Sequence, residues 1–159
     1  MRVLVSSVII NQDYIQSRLF VAQVNDVMRL HHIGIVVPKI KDSLGEIAKY
    51  IKFETIGLPT PVGSQKVNIC FLKVGEPFLE LIEPVEESSP VYEYAKHGGG
   101  MHHLCFEVKN IYEQIEEFSK KGATVLVKPV KGFDDRLIAF VDLNMKNTKC
   151  GVIELLEKK

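Results

Sequence analysis

Two stretches of this chain repeat one pattern, in which a histidine doublet is followed by a glutamate embedded in an apolar run. The first copy contains His31-His32 and Glu80, and the second contains His102-His103 and Glu154 in matching places. A carboxylate in the middle of an apolar strand is costly unless it is paired, protonated or bound to a metal. A duplicated unit that supplies one histidine and one glutamate per copy can therefore build a metal site at its pseudo-twofold axis.

Strand alternation selects one histidine from each doublet as the ligand candidate. Successive side chains of a strand point to opposite faces, so His103 shares a face with Glu107, which suits a polar cleft. His32 occupies the matching position in the first copy. His31 and His102 fall on the opposite, apolar face, where we expect them to be structural.

The predicted ligands are two imidazoles and two carboxylates, contributed by His32, Glu80, His103 and Glu154. Such a set suits a divalent ion of Zn, Ni, Co, Mn or Fe, which the sequence does not rank. An ion with open positions can polarise a carbonyl and stabilise the charge that forms when a neighbouring C–H loses its proton.

Charge and composition narrow the class of partner. The 159 residues include 20 basic and 20 acidic side chains, so no bulk positive field favours nucleic acid. The apolar runs near the start are too short for a membrane span, and they do not form a secretory signal pattern. Three cysteines without metal-type spacing indicate reduced thiols, and we expect a cytoplasmic protein.

The order of predicted elements gives an α+β fold. Residues 1–28 lie outside the repeat as an N-terminal extension, and residues 29–159 form a single domain of two modules, about 29–86 and 100–158. Each module has the order βαβββ. We expect the two modules to form a curved mixed sheet around the metal-binding cleft, with both long helices on its outside.

Capping residues and glycine- or proline-rich segments predict where the helices begin and where the loops lie. Ser43 with Glu46 three residues later is a capping box, and the apolar stripe that follows it extends to Ile51. Asn110 is predicted to cap the second long helix. The segment 57–63, rich in glycine and proline, is expected to be a loop.

Residues 29–157 resemble the vicinal oxygen chelate superfamily, also called the glyoxalase/bleomycin-resistance fold, and within it the methylmalonyl-CoA epimerases. The most specific match is the run from Glu87-Ser88-Ser89-Pro90 to Gly99-Gly100-Met101-His102-His103. His32 stands in the family's His-Ile-Gly-Ile strand, and Glu80 in its Glu-Leu-Leu-Glu-Pro strand. The resemblance implies the four metal ligands predicted above.

The resemblance also implies an activity. A metal-dependent epimerase or isomerase of this kind moves a proton alpha to a thioester carbonyl, so we expect a small-molecule partner such as an acyl-CoA. We predict that Glu154 is both a ligand and the proton shuttle. A second base is not evident, and Asn68 lies on the strand that could supply one. A homodimer is left open.

Two other functions stay open. A lactoylglutathione lyase, or glyoxalase I, uses the same two-histidine, two-glutamate arrangement on a glutathione hemithioacetal, and it needs cations for the carboxylates of glutathione. Arginine is scarce here, although lysines could substitute. A metal-free binding or resistance module is the third alternative, and such relatives usually lack the full ligand quartet.

Overall fold

The computed structural model describes residues 28–146 and 151–159, and within them the chain forms eight strands, three helices and one short 3-10 turn. The N-terminal extension up to residue 27 and Cys150 lie outside the described residues. In chain order the elements are β1 (Arg29–Val36), α1 (Ile40–Ala48), β2 (Glu54–Val62), β3 (Val67–Lys73), β4 (Phe78–Pro84), α2 (Tyr92–Lys96), β5 (Gly100–Val108), α3 (Ile111–Lys120), β6 (Thr124–Lys131), the 3-10 turn (Phe133–Asp135), β7 (Leu137–Asp142) and β8 (Val152–Glu157).

All eight strands belong to one mixed sheet with the order β2-β3-β4-β1-β5-β8-β7-β6. The central pair, β1 and β5, is antiparallel, whereas β1 with β4 and β5 with β8 are parallel. Strands β1–β4 of the first half correspond in order to β5–β8 of the second half, so the strand order is symmetric about the central β1–β5 pair. The α+β fold with a curved mixed sheet is therefore confirmed, and the pseudo-twofold axis passes between β1 and β5.

Each long helix packs on the outer face of its own half of the sheet. Leu44 and Ile47 of α1 pack on the cluster that contains Leu72 and Leu81. Ile115 and Phe118 are among the α3 side chains that pack on the equivalent cluster in the second half. The face of the sheet opposite the two long helices is consequently available to line a cleft, and the short helix α2 packs at its margin through Ala95.

The first helix begins earlier than the sequence indicates. Helix α1 starts at Ile40, and Ser43 lies inside its first turn, where its hydroxyl donates to the Lys39 carbonyl 2.9 Å away. The predicted capping box at Ser43 is therefore wrong. Ile51 follows the end of the helix and is 44% exposed, so it does not extend the buried stripe.

A strand carboxylate takes the place of the expected cap at each long helix. Glu83, at the end of β4, accepts the Ile40 N–H at 2.8 Å, and Glu157, at the end of β8, accepts the Ile111 N–H at 3.1 Å. The first N–H groups of a helix have no partner within the helix, so these contacts satisfy a donor that would otherwise need water. At α3 the predicted cap is present as well, because Asn110 Oδ1 accepts from two backbone N–H groups.

The segment predicted as a loop at 57–63 forms most of strand β2 instead. It contains Pro59 and Pro61, which lack an N–H, and prolines are tolerated on edge strands. Strand β2 is at the edge of the sheet, and its pairing with β3 is irregular between Ile56 and Thr60.

The segment that connects the two halves of the sheet, between β4 and β5, contains the short helix α2. Helix α2 spans five residues, and the three glycines that follow it, Gly98, Gly99 and Gly100, all have positive φ angles. A Cβ on Gly99 would lie 2.1 Å from the Val36 carbonyl oxygen, so only glycine fits this crossing. Among the described residues, no helix combines the length and hydropathy that a bilayer crossing requires.

Candidate metal centre

Two rows of paired residues cross the four central strands at the pseudo-twofold axis. In each row a small residue separates a histidine from a glutamate, and the three residues lie on neighbouring strands. The rows are Glu80, Gly34 and His103, and Glu154, Cys105 and His32. Strand register alone thus brings together four polar side chains that are far apart in the sequence.

The four polar side chains converge at the centre of the sheet. The Nε2 atoms of His32 and His103 lie 3.2 Å apart, and Glu154 Oε2 lies 2.9 Å from the first and 3.0 Å from the second. Glu80 Oε2 lies 3.2 Å and 3.8 Å from the same two nitrogens. The exposed fractions of His32, Glu80, His103 and Glu154 are 2%, 6%, 3% and 5%. We call these four residues the quartet.

The quartet fits a divalent ion. Its ligand atoms all lie within 4.8 Å of one another. Donors that each bind one ion at about 2.0–2.2 Å lie roughly 3–3.4 Å apart, which is close to the spacings seen here. Two neutral imidazoles and two carboxylates would also balance the charge of a divalent cation in a buried place.

The pKa values of Glu154 and His32 are shifted in opposite directions because each group stabilises the charge of the other. Burial alone would raise the pKa of Glu154, but hydrogen bonds from His103 and His32 outweigh it and hold the pKa of that carboxyl well below its usual range. Burial would lower the pKa of His32, but Glu80, the Cys105 thiol and Glu154 raise it well above the usual value. A cation at the centre would take over the charge balance that a protonated histidine otherwise provides.

Both histidines of each doublet line the cavity, so the expectation that His31 and His102 lie on the opposite, apolar face is wrong. The pairing of β1 with β5 skips a residue at His31 and again at His102. A bulge of this kind inserts one unpaired residue and re-aims its side chain, which breaks simple alternation. His31 Nδ1 lies 2.9 Å from His32 Nδ1, and His102 Nδ1 lies 2.9 Å from His103 Nδ1.

The surroundings of both outer histidines lower their pKa and so favour the neutral imidazole. Burial, followed by the neighbouring His32, lowers the pKa of His31. Burial, followed by His103, lowers the pKa of His102 to about 4. Sequence reasoning missed their place in the site, although the doublet's occurrence in both copies was a signal that could have found it.

A cavity of about 500 Å³ opens over the quartet, on the face of the sheet opposite the two long helices. Phe71 on β3 and Phe140 on β7 form matching walls, with ring centres 5.4 Å from His32 and 5.2 Å from His103. Phe133, in the 3-10 turn, lies against Phe71 at 5.4 Å. The rest of the lining is mostly aliphatic, so the polar quartet lies at the base of an apolar pocket.

One fully charged cation, Arg136, lines this cavity among the described residues. Its Nη2 donates to Glu107 at 2.9 Å and its Nε donates to the Glu157 carbonyl at 2.8 Å. Burial would raise the pKa of Glu107, but Arg136 outweighs it and holds the pKa of that carboxyl below its usual value. The arginine is therefore committed to the protein rather than free for a substrate anion.

Asn68 does not line the cavity, so it is not placed to act as a second base. The β3 residues that line the cavity are Val67, Ile69 and Phe71, and Asn68 pairs with Glu83 on the other face of the sheet. Beside the two carboxylates of the quartet, Asp134 is the acid that lines the cavity among the described residues.

Comparisons with known proteins agree with this architecture. The model of the Glyoxalase/Bleomycin resistance protein/Dioxygenase superfamily matches residues 31–140. YqjC of Bacillus subtilis, an uncharacterized protein, is 35% identical over 133 residues, which cover 82% of this chain and 93% of that protein. The mitochondrial methylmalonyl-CoA epimerase of Bos taurus is 30% identical over 105 residues, which cover 65% of this chain and 59% of the relative.

Solved structures give the same picture. A hypothetical protein of Bacillus halodurans superposes with a TM-score of 0.73 at 35% identity, covering 84% of this chain and 96% of that one. A single-residue variant of the methylmalonyl-CoA epimerase of Streptomyces coelicolor, in complex with 2-nitronate-propionyl-CoA, gives a TM-score of 0.71 at 26% identity with the same coverage. A methylmalonyl-CoA epimerase in complex with methylmalonyl-CoA and NH4+ matches to the same extent.

Proposed function

We propose that this chain, which belongs to the Glyoxalase/Bleomycin resistance protein/Dioxygenase superfamily, is a metal-dependent epimerase or isomerase that moves a proton alpha to a thioester carbonyl. The observation that carries the proposal is the buried quartet of His32, Glu80, His103 and Glu154 under an apolar cavity. A divalent ion held there supplies Lewis-acid stabilisation of negative charge on the substrate oxygens. The related epimerases make methylmalonyl-CoA, or a close analogue, the first substrate to test.

Within this proposal the four residues of the quartet hold the ion, and Glu154 also moves the proton. Its carboxylate is the one that lies within about 3 Å of both imidazoles and next to the cavity. Its low pKa makes it a poor base while both histidine contacts are present. It becomes a useful base once substrate binding loosens those contacts, and general-base help is typically worth about 10²–10⁴-fold.

The lining of the cavity favours an acyl-CoA over a glutathione adduct. Glutathione carries two carboxylates, and the one cavity cation in the described residues, Arg136, is already paired with Glu107. The pantetheine arm of an acyl-CoA is uncharged next to the thioester, which suits aliphatic and aromatic walls. The carboxylate of a methylmalonyl group would be held by the ion at the quartet rather than by a cationic side chain.

The glyoxalase-like isomerase is the second candidate function, because it uses the same two-histidine, two-glutamate arrangement that the quartet presents. A metal-free binding module is disfavoured, since nothing in such a role needs two buried carboxylates. We also propose a cytoplasmic location, which suits the free buried thiols of Cys70 and Cys105, and we leave a homodimer to be tested by light scattering.

A substrate panel tests the proposal. The purified protein is loaded with Zn, Ni, Co, Mn or Fe in turn and assayed with one stereoisomer of methylmalonyl-CoA and with the hemithioacetal of methylglyoxal and glutathione. Conversion of the thioester alone supports the epimerase hypothesis, and conversion of the hemithioacetal alone supports the glyoxalase hypothesis. A protein that takes up an ion and converts neither substrate would contradict the proposal.

A further inference from the structure

His31 and His102 are equivalent under the pseudo-twofold symmetry, and both stand directly beside a quartet histidine. Each is the residue at which the β1–β5 pairing slips. The contact they make is the same in both halves, with an Nδ1-to-Nδ1 distance of 2.9 Å. A chance packing contact would not be expected to repeat with the same atoms and the same distance on both sides of the axis.

The chemistry of an imidazole pair decides which ring donates in this contact. Two Nδ1 atoms at hydrogen-bond distance share one proton, so one ring donates and the other accepts. The Nε2 atoms of His32 and His103 face the carboxylates of the quartet. An imidazole that gives its Nε2 lone pair to an ion keeps its single proton on Nδ1. The quartet histidine is then the donor, and its neighbour accepts through an unprotonated Nδ1.

We propose that His31 and His102 are positioning residues, which accept the Nδ1 protons of His32 and His103 and so fix both rings in the orientation and tautomer that bind a divalent ion. The inference deepens the proposed function and rests on its metal site. Partners of this kind commonly orient ligating histidines through a carboxylate or a carbonyl. Here a second histidine does so in each half of the molecule.

The surroundings of the outer rings support this role. His31 packs edge-on against Phe78, with ring centres 5.6 Å apart, and His102 lies 5.8 Å from Tyr94. These aromatic neighbours hold each outer ring in place, and the Tyr94 hydroxyl donates to the Met101 carbonyl rather than to the histidine. Each outer Nδ1 is thus left to the quartet histidine beside it.

The first test compares two substitutions at His102. His102→Phe keeps the ring shape and removes the acceptor, whereas the side-chain oxygen of His102→Asn lies near the place of Nδ1 and can still accept. Zinc dissociation constants are measured by competition with a chelator, beside circular dichroism as a folding check. Loss of such a partner weakens metal binding by roughly 10–100-fold, so we expect this for His102→Phe and wild-type affinity for His102→Asn. Equal affinity of His102→Phe and wild type overturns the proposal.

The second test needs no variant and reads the proton directly. In zinc-loaded wild-type protein with 15N-labelled histidine, the Nδ1 protons of His32 and His103 should show coupling across the hydrogen bond to the Nδ1 of His31 and His102. Absence of this coupling overturns the proposal even if His102→Phe fails to fold. A wild-type protein that binds no divalent ion would instead defeat the proposed function, so the two failures are distinguishable.

Discussion

Gly34 lies in the same row as His103 and Glu80, and the His103 ring occupies the space beside its α-carbon. A Cβ at this position would lie 2.3 Å from His103 Cε1 and 2.6 Å from Nε2. In the other row Cys105, a small residue, stands between His32 and Glu154. Small residues between the ligands therefore let the imidazoles lean across the sheet towards the glutamates.

Gly34→Ala should consequently displace the His103 ring. We expect zinc affinity to fall by roughly 10-fold or more, since the ring is pushed out of its ligand position. Overpacking of this kind also costs about 1–3 kcal/mol of folding stability. Metal affinity by chelator competition and urea denaturation measure the two effects.

Gly45→Ala is the matched control, because a Cβ there meets nothing within 4 Å in helix α1. Replacing a helical glycine by alanine should stabilise the fold by up to about 1 kcal/mol and leave metal affinity unchanged. If Gly34→Ala binds zinc as tightly as Gly45→Ala, the ring does not depend on the glycine.

At the residue scale the sequence predicted the polar cluster but not the full site. The four quartet residues could be found because each belongs to a matched pair in a duplication. His31 and His102 were misplaced because alternation assumes a regular ladder, and a single bulged residue reverses the face of a side chain. Nothing in local composition marks where a bulge falls.

At the scale of elements, the two long helices begin in different ways. Asn110 caps α3 with its side chain, whereas Lys39 at the start of α1 makes no side-chain cap. Both helices also receive a carboxylate from the end of a strand, Glu83 or Glu157. The Ser43 prediction failed because the long-range Glu83 contact, rather than a local cap, sets the helix start.

Asn110→Ala should destabilise the protein by about 1 kcal/mol, the usual effect of losing an N-cap. Ser43→Ala is its control and should change stability by less than about 0.5 kcal/mol, since Ser43 caps nothing and lies on an exposed turn. Urea denaturation of the two variants measures their free energies of unfolding and shows which side chain caps its helix. A larger loss for Ser43→Ala would restore the capping box that the structure rejects.

Glu83 should make stability depend on pH. Burial would raise the pKa of this carboxyl, but the Ile40 N–H and the Lys39 ammonium outweigh it and hold the pKa below its usual value. A carboxyl with a lower pKa in the folded state stabilises the fold above the ordinary glutamate value of about 4.3, and this contribution disappears as pH falls through the folded value.

Glu83→Gln should therefore lower stability at pH 7 and flatten the fall in stability below about pH 4.3. Denaturation midpoints over a pH series measure the slope. Asn110→Ala serves as the control, because an amide cap does not titrate and its loss should be similar at each pH. An unchanged acid slope in Glu83→Gln would contradict the assignment.

At the scale of the whole molecule, the ion is predicted to join the two halves of the sheet. Each half contributes one histidine and one glutamate, so neither half contains a complete site. Binding of a ligand to the folded state alone, at 100 times its dissociation constant, stabilises by about 2.7 kcal/mol. For a chain of this size, that corresponds to a rise of about 5–11 °C in melting temperature.

His103→Ala should abolish this thermal shift. The chain has five histidines, and the one outside the doublets, His97, is exposed after α2 and contacts the Glu93 carbonyl. His97→Ala is therefore the matched control and should keep the full shift in a calorimetric scan with and without zinc. A shift that survives in His103→Ala would place the ion elsewhere.

The duplication is also what made the overall architecture predictable. Repetition of the βαβββ order indicates a sheet with a pseudo-twofold axis, and the residues common to both copies must then lie near that axis. The edge strand β2 escaped prediction because its prolines and glycine resemble a loop in isolation. These prolines are compatible with a strand because β2 lies at the edge of the sheet. That position is a property of the whole fold and cannot be read from the local sequence.

In the proposed function the quartet binds a divalent ion, and Glu154 moves the proton next to a thioester carbonyl. The most direct measurement is solvent-deuterium incorporation at carbon 2 of methylmalonyl-CoA, with metal content determined on the same samples. Metal-loaded wild type should exchange this proton. Glu154→Gln should keep much of its metal and lose exchange by roughly 10²–10⁴-fold, whereas His103→Ala should lose both. Exchange at the wild-type rate by metal-loaded Glu154→Gln, or no exchange by metal-loaded wild type, would contradict the claim.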